Sequence, residues 1–305
     1  MVLDEEQYYI SCRTDRYGSN AIPWIAAIYL SYISKRKLFH NTHQDKIKGS
    51  NRYKNTIIYN FLLENSETTE KKSIIRNDLL WNGTFDSNWM KKINIRGKSM
   101  EEQRYYHWGP YQIIKEIYNY KDESFPEQFY NSECFHKLKS KFHEKYDIMF
   151  RNNYDSNSIC NSTLIHCRLD DTCKGQKGFV YQCFIGKQKL IKLINHCYKK
   201  FKCPVYLITN NDKSDKDFLI DIMKECSQDI INNQKQISNY IIGNDDVEFD
   251  IYIMMKCKNL IMSITTFPIL SALLQDNTVY YTDEHFLLKT VLCKKKTDRF
   301  KFLEF

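Results

Sequence analysis

Residues 162–175 read STLIHCRLDDTCKG, and four side chains in this stretch are equipped for chemistry: His166, Arg168, Asp170 and Asp171. They follow directly on an apolar, β-branched run, so they stand at the carboxyl end of an expected strand. Side chains alternate along a strand, which puts Leu164, His166 and Arg168 on one side and Ile165 and Cys167 on the other. A guanidinium at a strand end can hold a phosphate through two parallel charge-assisted hydrogen bonds, which a lysine cannot copy. Asp171, three residues on, can orient Arg168 or pin the loop. The competing reading is a surface Arg–Asp pair beside a buried, hydrogen-bonded His166. On this stretch alone the two stand level.

A second stretch, DIYIMMKCKNLIMSITTFPILSALL from Asp250 to Leu274, breaks the tie. Asp250, Met254 and Cys257 share one face of a short helix, NLIMS makes a strand, and ITTFP turns into another helix. Thr265 or Thr266 suits the N-cap of that helix and Pro268 suits its first turn. The free N–H groups of such a helix start form an anion site. Two elements, Arg168 and the helix start near Thr266, are therefore available to one phosphate. Core packing accounts for most of Met254 and Met255.

The elements that must position these residues follow from the apolar pattern. Strands are expected at 163–167, 205–209, 239–242, 260–263 and 279–282, with helices at 187–201, 216–226, 248–256 and 267–274. Such alternation implies an α/β class with a parallel, doubly wound sheet, which binds ligands at the carboxyl ends of its strands. In the first half a strand at 7–12 leads through the polar loop RTDRYGSN into a helix at 21–37, whose last turn is basic (Lys35, Arg36, Lys37). NTIIYNFLL, 55–63, reads as a strand, and 105–120 as mostly helical after Pro110. The polar, aperiodic segment 153–161 reads as an interdomain linker. A chain of 305 residues accommodates two domains.

Composition narrows the class. Hydrophobic content of 42% marks a folded chain, and the net charge of +8 suits either a polyanion or a small phosphorylated ligand in one basic cleft. No Lys/Arg tail, RNP-like aromatic pattern or zinc-finger spacing speaks for nucleic acid. Eleven cysteines, an odd number without any CxxC, point to free thiols used as small core residues in a reducing compartment. The sequons at Asn82 and Asn161 are then incidental. His40 with His43, and His136 with His143, lack a second cluster of ligands and read as surface histidines, so no metal is expected. The start, MVLDEEQYYI, has no signal-peptide character, and the most apolar stretch, 21–33, is too short to span a bilayer and contains Pro23. A soluble, cytoplasmic protein without membrane insertion is expected.

At this point a family comes into view. HCRLDD has the H-x-R-x-x-D form, His166, Arg168 and Asp171, and resembles the motif of α-1,2-fucosyltransferases (family 11 type) and of their α-1,6- and protein-O-fucosyltransferase relatives. The later stretch is similar to the D-x-x-x-M-x-x-C-x-x-x-I-x-S-x-S/T-T-F-S of the α-1,2 family. Asp250, Met254, Cys257, Ile261, Ser263, Thr265, Thr266 and Phe267 fall in register. PVYLITNND, ending at Asp212, resembles the family's strand ending in Ser/Thr-Asp/Asn-Asp. The stretch DRYGSNAIPW is similar to its Gly-Arg-Leu-Gly-Asn-Gln loop and helix at Gly18 and Asn20, and GPYQIIKEIY to a Tyr-x-Gln element.

The resemblance implies a GT-B fold, two Rossmann-like α/β domains facing a cleft. Residues 1–155 would be the acceptor-side domain and 156–305 the nucleotide-sugar-binding domain, its last helix packing back on the first domain. It implies inverting transfer of L-fucose from GDP-β-L-fucose to a glycan hydroxyl in an α-1,2 linkage. Arg168 would bind the donor diphosphate and neutralise the leaving GDP, held by Asp171. Asp212, Asp250, Ser263, Thr265, Thr266, Phe267, Gly18 and Asn20 would contact the donor. An arginine and helix N–H groups remove the need for a metal or cofactor, so the DDT after Leu169 is not a metal-binding DxD. His166 is a candidate base by type, whereas its place inside a strand favours a structural role. Asp15 is a second candidate base. Ile264 and Pro268 stand where the family has Asn and Ser, and Ile269–Leu270 replace an aromatic pair. These departures bear on acceptor and donor sugar more than on the diphosphate site. The rival readings are a transferase of another nucleotide sugar and a non-catalytic GT-B module that binds a glycan or nucleotide.

Overall fold

The computed structural model describes residues 7–10, 17–41, 53–69, 113–114, 117–169, 186–233, 236–263, 265, 267–282 and 297–305. The chain divides into two compact units, Met1–Lys139 with Phe286–Thr297, and Ser140–His285 with Asp298–Phe305.

In the first unit β1 (Gln7–Ile10), β2 (Lys37–Asn41) and β3 (Glu67–Thr69) form a parallel sheet in that order. Helix α1 (Tyr17–Ser34) joins β1 to β2. It ends three residues earlier than its basic tail suggests, because Lys35 takes a left-handed φ of 61° and Lys37 already pairs with Gln7. It also starts earlier: Gly18 and Asn20, expected in a loop, lie in its buried first turn. The segment 55–63, expected as a strand, is helix α2 (Ile57–Glu64). Its β-branched residues misled the local reading. Thr56 caps the helix by accepting the Tyr59 N–H, and Ile57, Ile58, Tyr59, Phe61 and Leu62 are buried, with α1 as the neighbouring helix. Burial against a neighbour outweighs the weak strand propensity. His40, expected at the surface, is fully buried and meets the ring of Tyr59 edge-on, with centroids 5.5 Å apart.

Helices α3 (Phe125–Tyr130) and α4 (Glu133–Asn153) follow. The expected linker carries a further short helix, α5 (Ser156–Cys160), capped by the Asp155 carboxylate accepting the Ser158 N–H at 3.1 Å. A capping aspartate and buried Ile159 suffice to order this polar stretch.

The second unit holds the architecture that matters for a site. Strands β4 (Thr163–His166), β5 (Val205–Ile208), β6 (Ile241–Ile242), β7 (Asn259–Met262), β8 (Thr278–Tyr281) and β9 (Phe300–Phe302) are all parallel, in the order β6-β5-β4-β7-β8-β9. Counted from β4 this is the 3-2-1-4-5-6 order of a doubly wound Rossmann sheet, with its switch point between β4 and β7. Helices α6 (Lys187–Phe201) and α7 (Lys213–Lys224) cover one face, where Leu190, Leu193, Leu219 and Ile222 pack with Ile165, Leu207 and Ile261. Elements on the other face include α5, whose Ser158 bonds Tyr206 at 2.8 Å, and α10 (Phe267–Leu274), which meets His166. Helix α8 (Gln228–Asn233) leads towards β6, and α9 (Val247–Lys256) packs against α10. The alternation expected along β4 is thus the alternation seen. β9 was not expected, being only three residues long. The described cysteines are all free, and burial pushes the thiols of Cys167, Cys197 and Cys257 up to about 12.

Candidate active site

The two motif stretches meet at the switch point. β4 and β7 run side by side with Ile165 opposite Ile261, so the residues that follow each strand emerge together. The His166 Nδ1 lies 2.7 Å from the Ser263 Oγ, and that oxygen lies 3.0 Å from the Thr265 Oγ1. The ring of Phe267, first residue of α10, sits 5.6 Å from the imidazole. Arg168 follows two residues after His166, half-buried, and lines a pocket with His166, Cys167, Met262, Ser263 and Thr282. Leu190 and Leu193 of α6 supply its apolar wall.

The electrostatics follow from this packing. Burial, with the Arg168 charge adding to it, holds the imidazole of His166 down to about 3. The ring is therefore neutral at physiological pH and a poor proton acceptor. What it does is fix Ser263 and, through it, Thr265, beside the loop that carries Arg168. Thr265 is itself buried.

A second polar group lies at the same carboxyl edge, beyond β5 and β6. Gly243 follows β6, and a Cβ there would overlap the carbonyl oxygen of Asn210 in the loop after β5. Only glycine lets the two loops come this close. Lys216 of α7 donates to the Gly243 carbonyl at 3.0 Å, and the Asn211 amide donates to Asp245 at 3.0 Å. Asn244 donates to the Asp250 carboxylate at 2.6 Å and accepts from the Tyr154 hydroxyl at 3.1 Å. Burial raises the carboxyl of Asp250 to about 7. Asp246 caps α9 through the Glu248 N–H and accepts from Tyr146 at 2.7 Å.

The expected site residues are thus distributed as follows. His166, Arg168, Ser263, Thr265 and Phe267 come together. Asp250 belongs to the second group at the same edge. Asp212 caps α7, accepting the Ser214 N–H at 2.8 Å. Gly18 and Asn20 lie in the first unit, inside α1. Asp171, Thr266 and Asp15 lie outside the described residues. Sequence reasoning missed Thr282, Leu190, Leu193, Asn244 and Gly243. For Gly243 a lone glycine immediately after a short strand was the available signal; the others carried none. Among the described residues no group of three His, Cys, Asp or Glu side chains gathers as a metal site, and no helix is long and apolar enough to cross a membrane.

No protein-family model matches this sequence, and no curated protein is similar enough to count as a relative. Solved structures with a similar chain path include glycosyltransferases. POFUT1 in complex with GDP-fucose is 11% identical over 90% of this chain and 96% of its own, with a TM-score of 0.41. FUT1 of Arabidopsis thaliana, as a variant with GDP, is 11% identical over 90% of this chain and 70% of its own, at 0.40. The E. coli heptosyltransferase WaaC with ADP is 7% identical over 90% and 87%, at 0.40. At such identities the likeness is one of chain path alone.

Proposed function

We propose that this chain is an inverting, GT-B-type glycosyltransferase that moves L-fucose from GDP-fucose to a glycan hydroxyl, forming an α-1,2 linkage. The observation that supports it best is the meeting of His166 and Arg168 with Ser263 at the ends of β4 and β7, with His166 hydrogen-bonded to Ser263. A packing role alone needs a buried histidine; it does not need Arg168 beside it at a switch point, where doubly wound sheets take their nucleotides.

In this reading Arg168 binds the donor diphosphate and stabilises the charge that grows on it as the bond from C1 to the diphosphate oxygen breaks. GDP leaves with the electron pair while the acceptor oxygen bonds C1 from the opposite side. The acceptor proton goes to a base other than His166, whose ring is too weakly basic; His166 positions Ser263 and Thr265 instead. Thr266 and the first N–H groups of α10 complete the phosphate contact, with one N–H fewer because Pro268 has none. Asp171 holds Arg168, and Asp250 contributes at the nucleotide end. The reaction needs no metal or other cofactor in this scheme, since a guanidinium and helix N–H groups meet the leaving charge.

The test is a thermal-shift panel of GDP, GDP-fucose, GDP-mannose, UDP and ADP, followed by calorimetry and transfer assays on Arg168→Ala and Arg168→Lys. GDP and GDP-fucose should stabilise the protein, and both variants should fold normally yet lose affinity by about tenfold or more, because lysine cannot copy the bidentate contact. A shift from another nucleotide with none from GDP would remove the donor assignment. Near-normal transfer by Arg168→Ala would remove the mechanism.

A further inference from the structure

Helix α6 carries a run of charge of one sign. From Lys187 to Lys202 the chain has six lysines and no carboxylate. Lys187 pairs with Glu225. Lys189, Lys192, Lys199, Lys200 and Lys202 are exposed, and among the described residues no ion pair engages them. At about 100° per residue, Lys189, Lys192, Lys199 and Lys200 fall within an arc of roughly 100° and span about 16 Å of α6. The adjoining arc of the helix, Leu190, Leu193, Ile194 and Cys197, is sealed in the core. The charged arc is therefore fixed outward by the core.

The face continues past the end of the helix. Phe201 packs on Tyr280 with centroids 4.9 Å apart, and Tyr280 is the register partner of exposed Lys301 in β9. By contrast, α4 is also lysine-rich, but Lys137 pairs with Glu133 at 2.7 Å and Lys145 with Glu248 at 3.5 Å. The charge run on α6 is thus different in kind from an ordinary solvated helix with mixed signs.

We propose that the outer face of α6 docks this protein on an anionic lipid surface. Every cation on it is a lysine, a hydrated point charge without the planar fork that selects a particular phosphate or base. The described lysines lie along the outer side of a single helix. Among the described residues, α6 itself carries no exposed large apolar side chain that would insert. Those properties suit a diffuse, planar negative charge held by long-range attraction, which decays within about 8 Å at physiological salt. Adsorption should be reversible and should leave the rest of the chain outside the bilayer. This inference is independent of the donor assignment.

The test is co-sedimentation of the whole protein with vesicles of phosphatidylcholine alone and of phosphatidylcholine mixed with phosphatidylglycerol, at low and physiological ionic strength. The wild type should bind only the anionic vesicles and should be released by salt. A triple variant, Lys189→Gln with Lys192→Gln and Lys199→Gln, should bind about a hundredfold more weakly, at roughly fivefold per lysine. The charge-matched control, Lys137→Gln with Lys139→Gln and Lys141→Gln, should lose no more than a few-fold. Unchanged thermal midpoints would show that both variants remain folded. No binding of the wild type to anionic vesicles overturns the proposal, and so does equal loss in the two triple variants. Binding of an RNA oligonucleotide through the α6 lysines, without vesicle binding, would assign the face to nucleic acid and overturn it as well.

Discussion

Two buried groups at the carboxyl edge of the second unit titrate in opposite senses, and separating them tests the burial of both. His166 is held down to about 3 from an ordinary 6.5, and Asp250 is raised to about 7 from 3.8. For His166 the unfolded chain takes the extra proton between about pH 3 and 6.5, so acid favours unfolding there by about 1.4 kcal/mol per pH unit. For Asp250 the folded chain holds the extra proton between about pH 4 and 7, so its contribution favours the fold in acid and is lost as pH rises through about 7. From pH 6.5 down to about 4 the two slopes oppose each other in the wild type. Asp250→Asn keeps an oxygen for the Asn244 amide but removes one slope. Relative to wild type it should lose roughly 2 kcal/mol between about pH 6.5 and 5. His166→Gln should show the reverse difference. Urea midpoints measured across this range, with the denaturant slope checked for constancy, give the difference profiles directly. Carboxylates elsewhere cancel in those differences. If the Asp250→Asn and wild-type curves run parallel to within about 0.5 kcal/mol, the burial argument for Asp250 fails, and parallel curves for His166→Gln and wild type would sink it for His166.

Two further substitutions probe the same edge. Ser263→Ala leaves the buried His166 Nδ1 without the partner it has at 2.7 Å, and should destabilise by about 1–3 kcal/mol in urea titrations; a change within about 0.3 kcal/mol would mean that the bond is not formed in solution. Gly243→Ala drives a Cβ into the Asn210 carbonyl oxygen and should cost about 1–3 kcal/mol, seen as a lower thermal midpoint. An unaltered midpoint would show that the loops after β5 and β6 stand further apart.

Much of the second unit was legible in the sequence because a parallel strand is short, apolar throughout and bounded by helices with a period of their own. All four residues of β4, β5 and β7 are buried, and the helix at 187–201 was found to the residue. The start of α7 shifted to Lys213 because Asp212 caps it, a contact that competes with the family role expected for that residue. The first unit was less legible. NTIIYNFLL has strand-like composition, and only its burial, with α1 as neighbour, makes it helical. β2, β3 and β9 are five residues or fewer, too short to show a period against their surroundings. His40 shows the same limit: an imidazole followed by polar Asn41, Thr42 and His43 is nonetheless sealed in the core.

At the candidate site the division is similar. The sequence by itself determined which groups are available, the order in which they come, and that Arg168 and His166 stand on the side of β4 opposite Ile165, since all of this follows from alternation over a few residues. Only the tertiary structure decided that β7 lies next to β4, which brings Ser263 to His166 across 97 positions of chain. It also decided that this histidine is buried beside a guanidinium, and so serves to position its neighbours instead of accepting protons. Strand order and burial arise from long-range pairing, and no local window of residues carries them.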